Sequence, residues 1–157
     1  MITQPPPDEE RAIDAFPELV GNYRKTSEET YRYNCLAWAL GINWTWFQHD
    51  ARCAGYYWPP GIDREWNEAT IRKIFALHGF REEALSRELE ADYEKVAFYV
   101  DGGGEPSHFA RQLANGNWTS KLGDLIDVEH TNLECLEGKD QYGSVSFILK
   151  RKISEKA

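Results

Sequence analysis

Residues 107–122 constrain the fold more tightly than any other stretch of this 157-residue chain. Ser107-His108-Phe109-Ala110-Arg111-Gln112-Leu113 reads as a strand, and Trp118-Thr119-Ser120-Lys121-Leu122 as its return. Asn115-Gly116 between them is a strong hairpin signal, because both residues tolerate the positive φ of a tight turn. Val96-Ala97-Phe98-Tyr99-Val100 before the hairpin is a compact β-rich run and reads as a central strand. After it, Val145, Phe147 and Leu149 alternate with polar neighbours over 142–150, the period of a half-buried strand. The C-terminal half therefore predicts an antiparallel sheet of about four strands.

The N-terminal half has a different period. Asn67 or Asp63 can cap a helix whose apolar face is Ala69, Ile71, Ile74, Phe75 and Leu77, with Gly79 to close it. Asn34 caps a shorter apolar segment, Cys35 to Leu40, which Gly41 ends. Residues 11–21 fit a short helix or an irregular arm broken by Pro17, and 131–137 fit a short helix capped by Thr131. Helices first and an antiparallel sheet afterwards make α+β architecture. The length suits one domain over 11–151. A Pro-rich acidic lead-in, 1–10, is expected to be disordered, and 152–157 form a polar tail.

Charge narrows the function. The net charge of -8 argues against nucleic acid and anionic membranes, which need a basic face. No run approaches the ~20 apolar residues of a membrane span. Cys35, Cys53 and Cys135 are odd in number and lack metal-type spacing. The N-terminal residues show no basic start and no apolar run, so reduced thiols and a cytoplasmic location are expected, with no metal and no cofactor. The acidic run 82–94 reads as a solvated face. In a binding protein it would be the surface offered to a basic protein partner.

Chemistry concentrates at two residues. Cys35 opens its helix, where the macrodipole favours a thiolate and free N–H groups can receive an oxyanion. The competing reading is a core cysteine among apolar neighbours. His108 starts a strand just after a loop, placed as the base that a cysteine nucleophile needs. His130 is a rival partner, His78 lies at a helix end, and His49 lies in an aromatic loop. That loop, with Trp44, Trp46, Phe47, Tyr56, Tyr57 and Trp58, reads either as a wall of a binding cleft or as a satellite hydrophobic cluster.

Asn34-Cys35-Leu36-Ala37-Trp38-Ala39, with His108 at the start of a later strand, resembles the papain-like cysteine hydrolases, in particular the CHAP-type amidase and peptidase branch. Pro106-Ser107-His108-Phe109-Ala110-Arg111-Gln112-Leu113 and Trp118-Thr119-Ser120-Lys121-Leu122-Gly123 also resemble an uncharacterised family of small bacterial proteins over residues 31–151. The papain-like resemblance implies N-terminal helices packed on the C-terminal sheet of about four strands. It makes Cys35 the nucleophile and half of the oxyanion hole, with His108 as the base. Ser120 or Asp124 would orient the imidazole. A two-residue turn sets His108 opposite Gly123 and favours Asp124, whereas a bulge slips the register and admits Ser120. Tyr33 and Asn34 are candidates for the second oxyanion donor, and Trp44 and Trp58 for the cleft wall. The implied activity is hydrolysis of a peptide or amide substrate through an acyl-enzyme. The alternative is a non-catalytic acidic binding or immunity-type protein on the same fold.

Overall fold

The structure, a computed structural model, describes residues 5–49 and 56–153. Its backbone is one seven-stranded antiparallel sheet. In chain order the strands are β1 (Tyr23–Ser27), β2 (Glu82–Glu83), β3 (Tyr93–Val100), β4 (Pro106–Gln112), β5 (Trp118–Lys121), β6 (Asp127–His130) and β7 (Ser144–Lys152). They lie side by side in the order β1-β6-β5-β4-β3-β7-β2. Three short helices accompany them: α1 (Pro7–Ala15), α2 (Cys35–Ala39) and α3 (Glu68–Leu77). None of the described helices is long and apolar enough to cross a membrane.

This architecture corrects the papain-like α+β expectation of helices on about four strands. The fold is mostly β. Three strands lay hidden in polar sequence. Tyr23-Arg24-Lys25-Thr26-Ser27 and Asp127-Val128-Glu129-His130 lack a run of apolar residues, yet each completes the other's backbone hydrogen bonds. Glu82-Glu83 adds two residues to the β7 edge. The helix expected over 131–137 is a single 3-10 turn, Glu134–Leu136, and Asn132 rather than Thr131 bonds the Cys135 amide. α1 begins at Pro7, inside the segment expected to be a disordered lead-in, with proline at the first turn where no N–H is needed.

Alternation along the strands splits the core into two clusters. Val96, Phe98, Phe109 and Leu149 pack with α2 and α3. Ala97, Tyr99, Ala110 and Ile148, the intervening residues, pack with Ala12 of α1, with Leu19 of a 3-10 turn at Pro17–Leu19, and with Leu133 and Leu136 at the turn Glu134–Leu136. A period of two sends neighbours to opposite faces, so each cluster covers one face of the sheet. β4 carries a bulge at Ser107, since Tyr99 faces His108 while Val100 faces Pro106. Ser107 Oγ donates to the Tyr142 carbonyl at that kink.

Gly143, at φ +84°, lets the chain enter β7 directly against the end of β3; a Cβ there would meet the Val100 carbonyl oxygen at 2.0 Å. Gly143→Ala is therefore expected to lose more than ~1 kcal/mol of stability in urea unfolding, from both the clash and the positive φ. A neutral result would show that β7 enters the sheet by another path.

Candidate functional site

α2 is short and depends on its cap. Asn34 has extended backbone (φ −111°, ψ −177°), and its Oδ1 accepts the Ala37 N–H at 3.2 Å. The same Oδ1 accepts the Phe47 N–H at 3.3 Å, and Asn34 Nδ2 donates to the Phe47 carbonyl at 2.8 Å. One buried side chain thus starts the helix and fixes the aromatic loop beside it.

Cys35 is the first residue of α2 and is partly buried against the α2-side core. β4 and β5 pair only at Arg111 with Thr119 and at Gln112 with Trp118, so the ladder is open toward the start of β4. The Phe109 N–H, outside that ladder, donates to the Cys35 sulfur. Burial raises the thiol pKa to about 11, against the opposing pull of that N–H and of the Lys121 cation. The thiolate expected from the helix terminus is thus not the resting form.

The turn between β4 and β5 decides what faces His108. The Leu113 N–H donates to the Asn117 carbonyl at 2.7 Å, which leaves Ala114-Asn115-Gly116 as a three-residue loop with Gly116 at φ +91°. The register is one residue off that of a two-residue turn. Because side chains alternate, the slip turns Ser120 to the His108 face. His108 Nε2 lies 2.9 Å from Ser120 Oγ, and Ser120 Oγ lies 2.8 Å from His130 Nε2. His130 Nδ1 lies 2.7 Å from the Asn132 carbonyl oxygen. Asp124, the other candidate, instead pairs with Tyr31.

The carbonyl at the end of this chain fixes every proton in it. A carbonyl only accepts, so His130 Nδ1 carries hydrogen. The Nε2 of that neutral ring then accepts from the Ser120 hydroxyl, and the Ser120 oxygen accepts from His108 Nε2–H. His108 Nδ1 is left as a bare lone pair, buried and without a hydrogen-bond partner among the described residues. Burial pushes the His108 pKa well below its ordinary value, with His130 adding to the effect. Burial likewise lowers His130 to about 4, partly offset by its bond to Asn132. The Tyr142 ring lies flat on His108, 4.0 Å between centroids and 3° between planes, and Tyr99 meets its edge at 5.3 Å.

The remaining candidates divide. Tyr33 is buried and donates to Asp127, so it braces the sheet. Trp58 is buried, with Nε1 on the Ile62 and Asp63 carbonyls. Trp44 is exposed. A cavity of about 280 Å³ opens beside Cys35, lined by Trp46, Phe47, Gln48, His49 and Trp66 among others. Sequence reasoning missed Trp66 and Tyr142 and treated His130 as a rival; only the pairing of β5 with β6 shows His130 to be the outer end of the relay. Cys53 lies outside the described residues. Cys135 is a buried free thiol near His130.

Fold and site together define a mostly-β domain in which a cysteine-headed helix lies over the open end of a strand ladder, beside a neutral His–Ser–His chain. The chain belongs to the family of the domain of unknown function DUF7689, whose model matches residues 24–150, a span that holds Cys35, His108, Ser120 and His130. No curated protein and no solved structure matches it.

Two outcomes follow. Imidazole nitrogen NMR at pH 7 is expected to show His108 protonated at Nε2 only and His130 at Nδ1 only; the reverse tautomer on either ring would break the relay. Both histidines titrate lower when folded than their ordinary 6.5, so the unfolded chain binds the extra protons. Stability should therefore be level from pH 6.5 to about 8, as far as the histidines and thiols set it, and fall as the pH drops from 6.5 toward 4. The fall should be smaller in His130→Gln.

Proposed function

We propose that this protein is a cysteine hydrolase acting on an amide or peptide bond, with Cys35 as nucleophile and His108 as general base. The observation that carries this reading is the bare, buried Nδ1 of His108, on the strand whose next amide reaches the Cys35 sulfur. A base held in one tautomer by a second group, close in the chain to a contact with a nucleophile, has the parts that acyl transfer needs. The chemistry is that of the papain-like hydrolases on a different sheet.

The resting thiol is neutral, and so is the imidazole. The pair works by general base catalysis rather than as a preformed ion pair. The Cys35 proton passes to His108 Nδ1 as sulfur bonds to the carbonyl carbon. His108 returns that proton to the leaving nitrogen as the C–N bond breaks. Water, deprotonated by His108, then cleaves the thioester and restores the thiol. Throughout, Nε2–H stays on Ser120, which orients the ring. The Cys35 N–H, at the first position of α2, is one donor for the oxyanion. The thiol and Nδ1 share no hydrogen bond in the resting structure; His108 shares a face with Tyr99 and Ser120 while Cys35 packs on the α2 face, so the proposed proton transfer requires the two to meet through the open end of the ladder.

The binding-protein alternative needs free charge on the acidic run. Much of that charge faces the chain's own cations: Glu82 and Glu90 meet Lys150 at 3.9 and 2.8 Å, Glu83 meets Arg72 at 2.8 Å, and Glu94 meets Arg151 at 3.3 Å. The acidic run therefore lends the binder reading little support.

The test is acylation of Cys35 by a p-nitrophenyl ester, followed by mass spectrometry. The rate is expected to be level from pH 6.5 to 9, because His108 is already unprotonated there. His108→Ala should slow it ~10²–10⁴-fold. Simple alkylation by iodoacetamide should instead be slow at pH 7, where a thiol of pKa about 11 is only ~10⁻⁴ thiolate, and climb about tenfold per pH unit. Equal acylation rates in wild type and His108→Ala would sink the proposal.

A further inference from the structure

The hydrolase reading leaves the second oxyanion donor unassigned, and the side chains expected to supply it are engaged elsewhere. Asn34 spends its amide on Ala37 and Phe47, and the Tyr33 hydroxyl donates to Asp127. The Tyr142 hydroxyl is free by comparison. It makes no hydrogen bond with any described residue, and it is not sealed from solvent, since Tyr142 is only partly buried.

The ring that carries this hydroxyl is held by its neighbours. It lies flat on His108, 4.0 Å between centroids and 3° between planes, and Phe16 packs on it at 4.7 Å. Tyr99 meets it edge-on at 6.2 Å. The Tyr142 N–H donates to the Leu136 carbonyl at 3.1 Å, and the Tyr142 carbonyl accepts from Ser107 Oγ at the β4 bulge. A ring fixed in this way presents its hydroxyl at one point before substrate arrives. That point lies toward the Cys35 end of the site. Cys35 and Asp124 are the two groups whose charge bears on the hydroxyl, and Gly123, next to Asp124, lines the cavity beside Cys35. Burial, with both of those groups, raises the phenol well above its ordinary 10, so the O–H keeps its proton and remains a donor.

We propose that the Tyr142 hydroxyl is the second oxyanion donor, a catalytic residue that hydrogen-bonds the substrate carbonyl oxygen as the Cys35 sulfur adds to its carbon. A neutral phenol is a strong donor to such an oxygen in a water-poor site. The carbonyl electron pair moves onto oxygen when the C–S bond forms and returns when the C–N bond breaks. Tyr142 keeps its proton throughout, and His108 carries the one that moves. The stack of Tyr142 on His108 therefore fixes the oxyanion donor and the base as one unit, and a substrate carbonyl at the open end of the ladder lies between that unit and Cys35.

The proposal rests on the hydrolase reading, and paired reactions separate the two. Tyr142→Phe keeps the stacked ring and removes only the hydroxyl. Acylation of Cys35 by p-nitrophenyl acetate passes through an oxyanion and is expected to slow ~10²–10³-fold in this variant. Alkylation by iodoacetamide displaces iodide at a saturated carbon and forms no oxyanion, so its rate and pH profile are expected to match wild type. Acylation at the wild-type rate overturns the proposal. An equal loss of both reactions also overturns it, because Tyr142 would then act only on the fold. In either case slow acylation of His108→Ala leaves the hydrolase standing, whereas equal acylation of wild type and His108→Ala sinks the hydrolase and this proposal with it. Wild-type protein gives a check without substitution at Tyr142. N-acetylglycinal adds to the Cys35 thiol, with sulfur bonding to the aldehyde carbon and the thiol proton passing to its oxygen, which then occupies the oxyanion position. The ¹³Cζ NMR signal of Tyr142 is expected to shift when this adduct forms and to stay in place in Cys35→Ala. An unmoved signal in the wild-type adduct overturns the donor role.

Discussion

The site depends on a register shift of one residue in the hairpin between β4 and β5. With a two-residue turn, Gln112 would face Thr119, and every side chain of β5 would change faces. Lys121 would then project toward His108 and Ser120 toward α2. A cation would lie against a buried imidazole, and no hydroxyl would hold its Nε2. The observed pairing of Gln112 with Trp118 puts Ser120 beside His108 and Lys121 on the other face, near Tyr33. Gly116 at φ +91° supplies the third loop residue at little conformational cost. The orientation of the histidine relay is thus set in the turn, well away from Cys35.

Burial then decides the charge state. A helix terminus favours an anion by ~0.3–1 kcal/mol, up to ~2 in partly buried settings. Moving a thiol from 9.0 to about 11 corresponds to roughly 3 kcal/mol against the thiolate. Burial wins, even with the Phe109 N–H on the sulfur. The same low-dielectric setting keeps His108 and His130 neutral. A neutral chain of donors and acceptors has one consistent arrangement of protons, and it ends in a lone pair on His108 Nδ1. In the proposed hydrolase the reactive form is therefore made during the reaction, when a substrate carbonyl gives the leaving proton a reason to move.

Local chemistry was legible in the sequence, and long-range pairing was not. The Asn34 cap, α3, and strands β3, β4, β5 and β7 follow from caps, periods and turn residues that act over a few positions. β1 and β6 do not, because Tyr23-Arg24-Lys25 and Asp127-Val128-Glu129 become strands only by meeting each other. Tyr33 read as a candidate oxyanion donor, and Trp58 as a cleft wall because aromatic loops commonly line clefts. Both are core here, since their polar tips find Asp127 and the 62–63 carbonyls within the fold. Ser120 and Asp124 could be separated only by knowing the register, which differs by one residue between two plausible turns.

The strands that overturn the expected fold also complete the site. His130 belongs to β6, and β6 has two neighbours only because β1 pairs its outer side, with Tyr23 opposite His130. Without β1, β6 would be an exposed edge and His130 would be open to water. An exposed imidazole titrates near 6.5, and a second proton at Nε2 would turn that nitrogen from acceptor to donor. The Ser120 hydroxyl would then lose its acceptor and compete to donate to His108 Nε2, which would move the hydrogen of His108 to Nδ1 and fill the lone pair that the proposed hydrolase uses. The polar N-terminal strand, remote from Cys35 in the sheet order, thus keeps the relay dry and its direction fixed.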